Sequence, residues 1–376
     1  MIKIGFTGDF CPWMRVEDQL KTADNESLFG TVRPFFAAND LNVLDLECPL
    51  TTAQTAIAKT GPHIKAAPAT AAILQYLNCK VVATANNHFK DYDWAGMQET
   101  YETLQKHQIQ WLGSGQNFEE ASQTFYYKKD DLTVALINVA ENEWTTTFDT
   151  TPGCHPIDLV NVFNQIQEAK KKSDCIIIIA HGGHEHYELP SPRMKKWYRF
   201  FVDAGANAVI GHHTHIISGY EVYQEAPIFY SLGNFCFDWP GLRNKPWNNG
   251  MMVRLQIEKH QPITFELEYF NQNNEQPGVF LLSDEEKSTA MQSVDQLNGI
   301  IADDLLLEQR FANYVASWKP VMDTWIQPYQ GKYLPSLFKR GLLPQLITKK
   351  KKLLYTNLIR CEAHRDILIN TINPTK

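Results

Sequence analysis

The stretch CIIIIAHGGHEHYELPSPRMKKWYRFFVDAGANAVIGHHTH, residues 175–215, decides the fold. Two short apolar runs, 176–179 and 208–210, each lead into a histidine cluster. Six of the chain's twelve histidines fall here: His181, His184, His186, His212, His213 and His215. Between the clusters, 193–204 has the spacing of an amphipathic helix, closed by Gly205. The order is strand, His-rich loop, helix, strand, His-rich loop. In an open α/β sheet ligands bind outside the carboxyl ends of the strands. Both clusters belong there, side by side, and imidazoles so grouped point to metal.

Working outward, the same grammar recurs. Apolar runs at 2–6, 41–44, 81–83 and 228–232 end in Gly8-Asp9, Asp45-Leu46-Glu47, Asn86-Asn87-His88 and Gly233-Asn234. The segments 68–77 and 94–107 have helical apolar spacing. This alternation indicates an α/β sandwich. Runs at 132–139, 251–257 and 263–270 alternate apolar and polar residues and suit an outer or second sheet. Loops are expected at 145–156 and at 239–250, the latter a rim over the site. After residue 282 the β-rich runs stop. Ser283-Asp284-Glu285-Glu286 is a capping box. The chain from there reads as helix broken near Pro320, Pro328, Pro335 and Pro344. The expected domains are 1–282 and a helical extension, 283–376.

Composition limits the function. A length of 376 residues suits one large domain or two ordinary ones. With 44% hydrophobic and 20% charged residues the chain is of the soluble globular class. A net charge of −7 argues against general nucleic-acid binding. The seven cysteines are odd in number and form no CxxC pair, which fits reduced thiols and neither a disulfide framework nor a zinc ribbon. MIKIGFTGDF reads as a strand and a glycine turn, without the pattern of a signal peptide. No run approaches the roughly 18 apolar residues of a transmembrane segment. The expected location is the cytoplasm, with peripheral attachment to the inner face of the membrane left open.

The strand-end residues mix oxygen and imidazole donors, which suits Mn, Fe or Zn. Asp9 with Asp45 or Glu47 supplies carboxylates, Asn87 an amide oxygen, and His181, His213 and His215 imidazoles. Two divalent ions in such a site need a bridging carboxylate, and water activated by metal becomes the nucleophile.

These residues carry a resemblance. GDF, DLE, ANNHFKD, HGGHEHYELPSP, GHHTH and YSLGNFCFD, in this order over roughly residues 1–270, resemble the CapA family of poly-γ-glutamate capsule-synthesis proteins. The resemblance implies the four-layer α/β/β/α sandwich of calcineurin-like metallophosphoesterases. It implies metal ligands at Asp9, Glu47 or Asp45, Asn87, His181, His213 and His215, with Asn87 and His88 at the reaction centre. Glu185 matches the glutamate of the family's HWGxEY motif, and Asn234 lies in its YSLGNF signature. His184, His212, Asn86 and Asp91 join Glu185 and Asn234 as expected substrate or outer-shell residues. Cys11 stands where the metallophosphoesterase Asp-x-His motif has histidine, and Asp45 where the family has Asn.

Each residue has a plainer reading: His213 and His215 as turn histidines, His181 as the hydrogen-bonded end of a buried strand, Asp9 as a turn aspartate, Cys11 as a small buried thiol. Lys349–Lys352 reads first as a solvated helix face and second as a patch for an anionic polymer or lipid headgroup.

Two functions follow from the resemblance. The first is a metal-dependent hydrolase of capsule or exopolymer biosynthesis, acting on a phosphoester, an anionic polymer or a lipid- or nucleotide-linked intermediate. The second is a non-catalytic accessory subunit, meeting capsule-synthesis proteins through its helical tail.

Overall fold

The computed structural model describes residues 1–22 and 24–372. It divides into two compact units, Met1–Leu307 and Glu308–Lys376.

The first unit is built on two sheets. Parallel strands β1 (Ile2–Cys11), β2 (Leu41–Leu46), β3 (Val81–Ala83) and β4 (Gln110–Leu112) form half of the first sheet. On the other side of β1 lie antiparallel β14 (Asn249–Ile257), β15 (Thr264–Gln272) and β16 (Val279–Leu281), while β13 (Asn234–Phe237) pairs with the far end of β1. The second sheet runs β11 (Tyr220–Tyr223), β12 (Ala226–Phe229), β10 (Ala208–His212), β9 (Cys175–His181), β7 (Leu132–Ala140), β6 (Phe125–Lys129). A two-stranded ribbon joins β5 (Ser114–Gly115) to β8 (Gly153–Cys154).

The unbroken apolar run of β9 has a direct cause. Ile177 and Ile179 face the first sheet, in one cluster with Phe6, Val43, Val81 and Ile210. Ile176 and Ile178, on the opposite face, are equally buried beneath α7 (Leu159–Lys170) and α8 (Pro192–Ala204). A parallel strand covered on both faces reads as continuous hydrophobic sequence. Each fully buried isoleucine contributes roughly 1.5–3 kcal/mol. The outer face of the first sheet is covered by α2 (Asn25–Phe29), α3 (Arg33–Ala37), α4 (Ala71–Tyr76) and α5 (Asp93–Lys106), through Phe29, Phe36, Leu74 and Met97. The short helices α1 (Arg15–Gln19) and α6 (Phe118–Ala121) complete this unit's periphery. The result is a four-layer α/β/β/α sandwich.

Three local readings differ from the sequence expectation. The turn expected at Gly8-Asp9 is a bulge inside β1, where pairing with β2 shifts between Phe6 and Asp9. A Cβ on Gly8 would lie 1.7 Å from the Gly233 carbonyl oxygen, so only glycine lets β1 pass the turn before β13. The strand expected at 251–257 in an outer or second sheet is β14, paired directly with β1 inside the first sheet, because Phe6 pairs with Val253 and Ile2 with Ile257. The compact unit also runs past the expected 282/283 boundary. The helix α9 (Asp284–Ala302) starts at the Ser283 capping box and lies on β11 and β15. Val294 and Ile301 are buried there, and Asn298 Oδ1 accepts the Tyr220 N–H at 2.7 Å.

The second unit takes up most of α10 (Asp304–Ile326), then α11 (Leu334–Lys339), α12 (Lys349–Arg360) and α13 (Glu362–Ile372). Pro320 does not break α10, and the helix ends before Pro328. Buried Gln327 ties the unit together: its Oε1 accepts the N–H groups of Leu346 and Ile347, and its Nε2 donates to Gln345. Lys352 Nζ pairs with Asp323 at 2.5 Å.

Candidate metal centre

Strand register brings the site together. Asp9 stands level with Asp45 on β2 and with Asn234 on β13, and Asp45 with Ala83 on β3. In the second sheet His181 stands level with His212. The carboxyl ends of both sheets therefore open on one point. His213 (φ 89°) and His215 (φ 62°) sit in left-handed backbone just past β10. Such strain in non-glycine residues persists only where the surroundings hold it. Here the Asp9 Oδ2 accepts the His213 N–H at 3.2 Å, and the Asn234 amide donates to the His215 carbonyl at 3.1 Å.

His181 donates through Nδ1 to Asp45 Oδ2 at 2.7 Å. Its Nε2, left as a lone pair, lies 3.0 Å from Asn87 Oδ1, 3.1 Å from His213 Nδ1 and 3.8 Å from Glu47 Oε1. His215 Nδ1 lies 3.0 Å from Asn234 Oδ1 and 3.2 Å from Asp9 Oδ2, and its Nε2 lies 3.7 Å from Glu47 Oε1. Three sets of donor atoms, each mutually within 4.8 Å, result: Glu47, His181 and His213; Asp9, Glu47 and His215; Asp9, Asp45 and His181. Glu47 joins the first two.

The electrostatics are those of a crowded anionic pocket. Burial opposes charge on Asp9, but hydrogen bonds from His212 and His215 outweigh it and hold the carboxyl well below its ordinary value. Burial, aided by the Asp9 charge, pushes Asp45 up to about 8. Burial and the charges of Asp9 and Asp45 push Glu47 well above the carboxylate range. Burial pushes His181 and His213 down to about 3, which leaves both rings neutral near pH 7, the ligating form.

Glu47 provides the test of whether a metal ion fits. Both of its carboxylate oxygens are buried without a hydrogen-bond partner among the described residues. Leaving a buried carboxylate unpaired costs several kcal/mol. A divalent cation suits that orphan, its neighbouring carboxylates, the neutral imidazoles and the Asn87 amide oxygen together. The donor set therefore fits metal.

Around this centre the other expected residues divide. His212, expected at the substrate or outer shell, is buried in the site, with Nδ1 3.0 Å from Asp9 Oδ1. Asn86 is a pin between strand ends: its Oδ1 accepts the N–H groups of His88 and Phe89, and its Nδ2 donates to the Leu46 carbonyl. His184, Glu185 and His186 lie on the loop after β9, where Glu185 and His186 are exposed. The His186 ring is 5.6 Å from Trp247, which packs at 4.6 Å on His215, so the 239–250 loop does form a wall of the site. Cys11 is fully buried, and burial beside Cys48 and Glu47 raises its thiol well above the ordinary value.

His88 Nδ1 lies 2.7 Å from Asp91 Oδ2, which also accepts the Ile64 N–H at 2.8 Å. Burial lowers the His88 pKa, and Asp91 works against that shift. Lys59, its side chain 3% exposed, pairs with Asp91 Oδ1 and lies 3.2 Å from His88 Nδ1. Sequence reasoning missed Lys59. It sits in an irregular loop with no motif around it, and the pattern of the chain gives no sign of its burial.

Comparison with known proteins places the chain among capsule-synthesis proteins. The family described as Bacterial capsule synthesis protein PGA_cap matches residues 3–239. The chain is 30% identical over 271 residues to the PGA biosynthesis protein CapA of Bacillus subtilis (strain 168), covering 71% of this chain and 70% of that protein. It is 28% identical over 247 residues to the capsule biosynthesis protein CapA of Bacillus anthracis, covering 63% and 60%. Among solved structures, the calcineurin-like phosphoesterase YfkN from Bacillus subtilis aligns with a TM-score of 0.44 and 13% identity, over 82% of this chain and 98% of that one. The family match takes in every strand end described above, from Asp9 to Asn234, and the chain belongs to the CapA family of bacterial capsule synthesis proteins.

Proposed function

We propose that the protein is a metal-dependent hydrolase of capsule or exopolymer assembly. The observation that carries this reading is the buried, partnerless Glu47 carboxylate, shared by two sets of imidazole and carboxylate donors. Glu47, His181, His213 and Asn87 would hold metal on one side of the site, and Asp9 and His215, again with Glu47, on the other. Asp45 is the partner that turns the His181 ring, since its Oδ2 accepts the Nδ1 proton. Divalent metal in this site, two ions of Mn, Fe or Zn, supplies Lewis acidity and activation of water near neutral pH.

The protein's own groups set the rest. Asp9 and Asn234 fix the His215 ring, so that its Nε2 points toward Glu47. Asp91 holds the Nδ1 proton of His88, and Nε2 is left to gain or lose the proton that passes to a leaving group. Lys59 compensates the buried Asp91 charge and so keeps His88 in place. The substrate class is a phosphoester, or the amide of a γ-glutamyl polymer, in an anionic or lipid- or nucleotide-linked intermediate.

Elemental analysis of the purified protein, with turnover of phosphodiester, phosphomonoester and γ-glutamyl amide substrates in added Mn²⁺, tests this. Bound metal and turnover that His213→Ala abolishes are expected. Metal-free protein, or turnover that His213→Ala leaves unchanged, sinks the reading. Bound metal with no turnover on any substrate class would replace it with an accessory subunit.

A further inference from the structure

Charge is divided unevenly along the chain. Residues 308–376 carry twelve Lys and Arg against four Asp and Glu, a net of +8. The whole chain carries −7, so residues 1–307 carry −15. The basic unit holds the helix α12, whose first turn is Lys349, Lys350, Lys351 and Lys352. Four cations at a helix N-terminus oppose the macrodipole, so this placement does not stabilise the helix. Lys352 is neutralised by Asp323, but no carboxylate among the described residues pairs with Lys349 or Lys350.

The exposed face of α12 is mixed. Leu353 is 64% exposed and Leu354 44% exposed. They follow Lys349 and Lys350 by one helical turn and so lie beside them on the surface. Arg360 lies on the same face. The unit also exposes Trp325 (67%) and Tyr333 (71%), the amphipathic aromatics that suit a boundary between water and lipid. A soluble polyanion would need the lysines alone. Leucines exposed between cations match an interface with an apolar layer beneath an anionic one, with the lysine stems reaching outward to the headgroups. Among the described residues no helix is long and apolar enough to cross a membrane, so such contact is made at the surface.

We propose that the Glu308–Lys376 unit docks on an anionic lipid surface through the Lys349, Lys350, Leu353, Leu354 and Arg360 face of α12. This inference stands on the charge division and on exposure, and does not depend on the hydrolase reading.

Flotation of the full-length protein with vesicles tests it. Vesicles of phosphatidylcholine with one-third phosphatidylglycerol should carry the protein, and pure phosphatidylcholine vesicles should not. Binding should weaken about fivefold for each of Lys349→Gln and Lys350→Gln, and fall as salt is raised. Leu353→Ser with Leu354→Ser should weaken the binding that survives at high salt. Lys349→Arg with Lys350→Arg should bind as the parent does, which separates charge from any change in folding. Equal binding to both vesicle types, or binding to neither, overturns the proposal. So does salt-sensitive self-association, or capture by soluble polyglutamate, with no vesicle binding.

Discussion

His181 Nδ1 lies 2.7 Å from Asp45 Oδ2, and this one contact decides which ring nitrogen faces the other metal-type ligands. On the proposed reading it also separates the roles of the two candidate carboxylates, because Asp45 holds the His181 ring and both Glu47 oxygens lack a hydrogen-bond partner among the described residues. Asp45→Asn keeps an acceptor for the His181 proton and should cost about 10–100-fold in metal affinity. Glu47→Gln should cost more. Titration of chelated protein with Mn²⁺ or Zn²⁺ measures both, and equal losses would contradict the division of roles.

The orphaned Glu47 carboxylate should make the metal-free protein less stable than it could be. Glu47→Met removes a buried group that has no partner, so chelator-treated variant should be more stable than chelator-treated parent by about 1–3 kcal/mol. Addition of metal should reverse the order, since only the parent keeps the ligand. Thermal melts with and without metal read this directly. A variant that is less stable in both conditions speaks against a cation site at Glu47.

Lys59 and Asp91 form a buried pair beside His88. Lys59→Met leaves the Asp91 charge buried with less compensation and should destabilise by about 3–5 kcal/mol. Adding Asp91→Asn should recover part of that loss in urea unfolding. A strictly additive double variant would show that the two side chains do not compensate one another. His88→Ala, by contrast, should keep the fold and the metal content and lower turnover about 10²–10⁴-fold.

His155 is fully buried, with Nδ1 3.0 Å from the Asn138 carbonyl oxygen, and burial pushes its pKa down to about 4. Unfolded, it titrates near 6.5. The folded state thus resists protonation that the unfolded state accepts. The stability linked to His155 is complete above pH 6.5 and is lost as pH falls through 6.5 to about 4. The full difference is about 3 kcal/mol. His155→Gln should flatten the acid limb of stability against pH by that amount, seen in urea midpoints from pH 7.5 to 4.5. An unchanged slope would assign the acid sensitivity to other groups.

The strand ends were legible because their chemistry and their periodicity coincide. Asp9, Asn87, His181 and His213 each close an apolar run, and parallel strands deliver such residues to one edge. The rest was hidden for physical reasons. Lys59 reaches the site from a loop with no period to read. His212 looks like one more histidine of a rim cluster, and only the level pairing with His181 shows that it points inward to Asp9. The bulge at Gly8 depends on the distant Gly233, a contact that no local pattern reports. The helix α9 reads as the start of an appendix, yet Val294 and Ile301 bury it against the sandwich.

Asp9 and Glu47 come from the first sheet side of the sandwich, and His181, His213 and His215 from the second. The layer of side chains between the sheets, Phe6, Val43, Ile177 and Ile210 among them, is therefore a spacer that sets the gap across which the two half-sites meet. Packed sheets stand about 10 Å apart, and a single added methylene is felt in such a layer. The spacing of the donor atoms is thus adjustable from a distance: residues that touch none of them work as the screw of a vice.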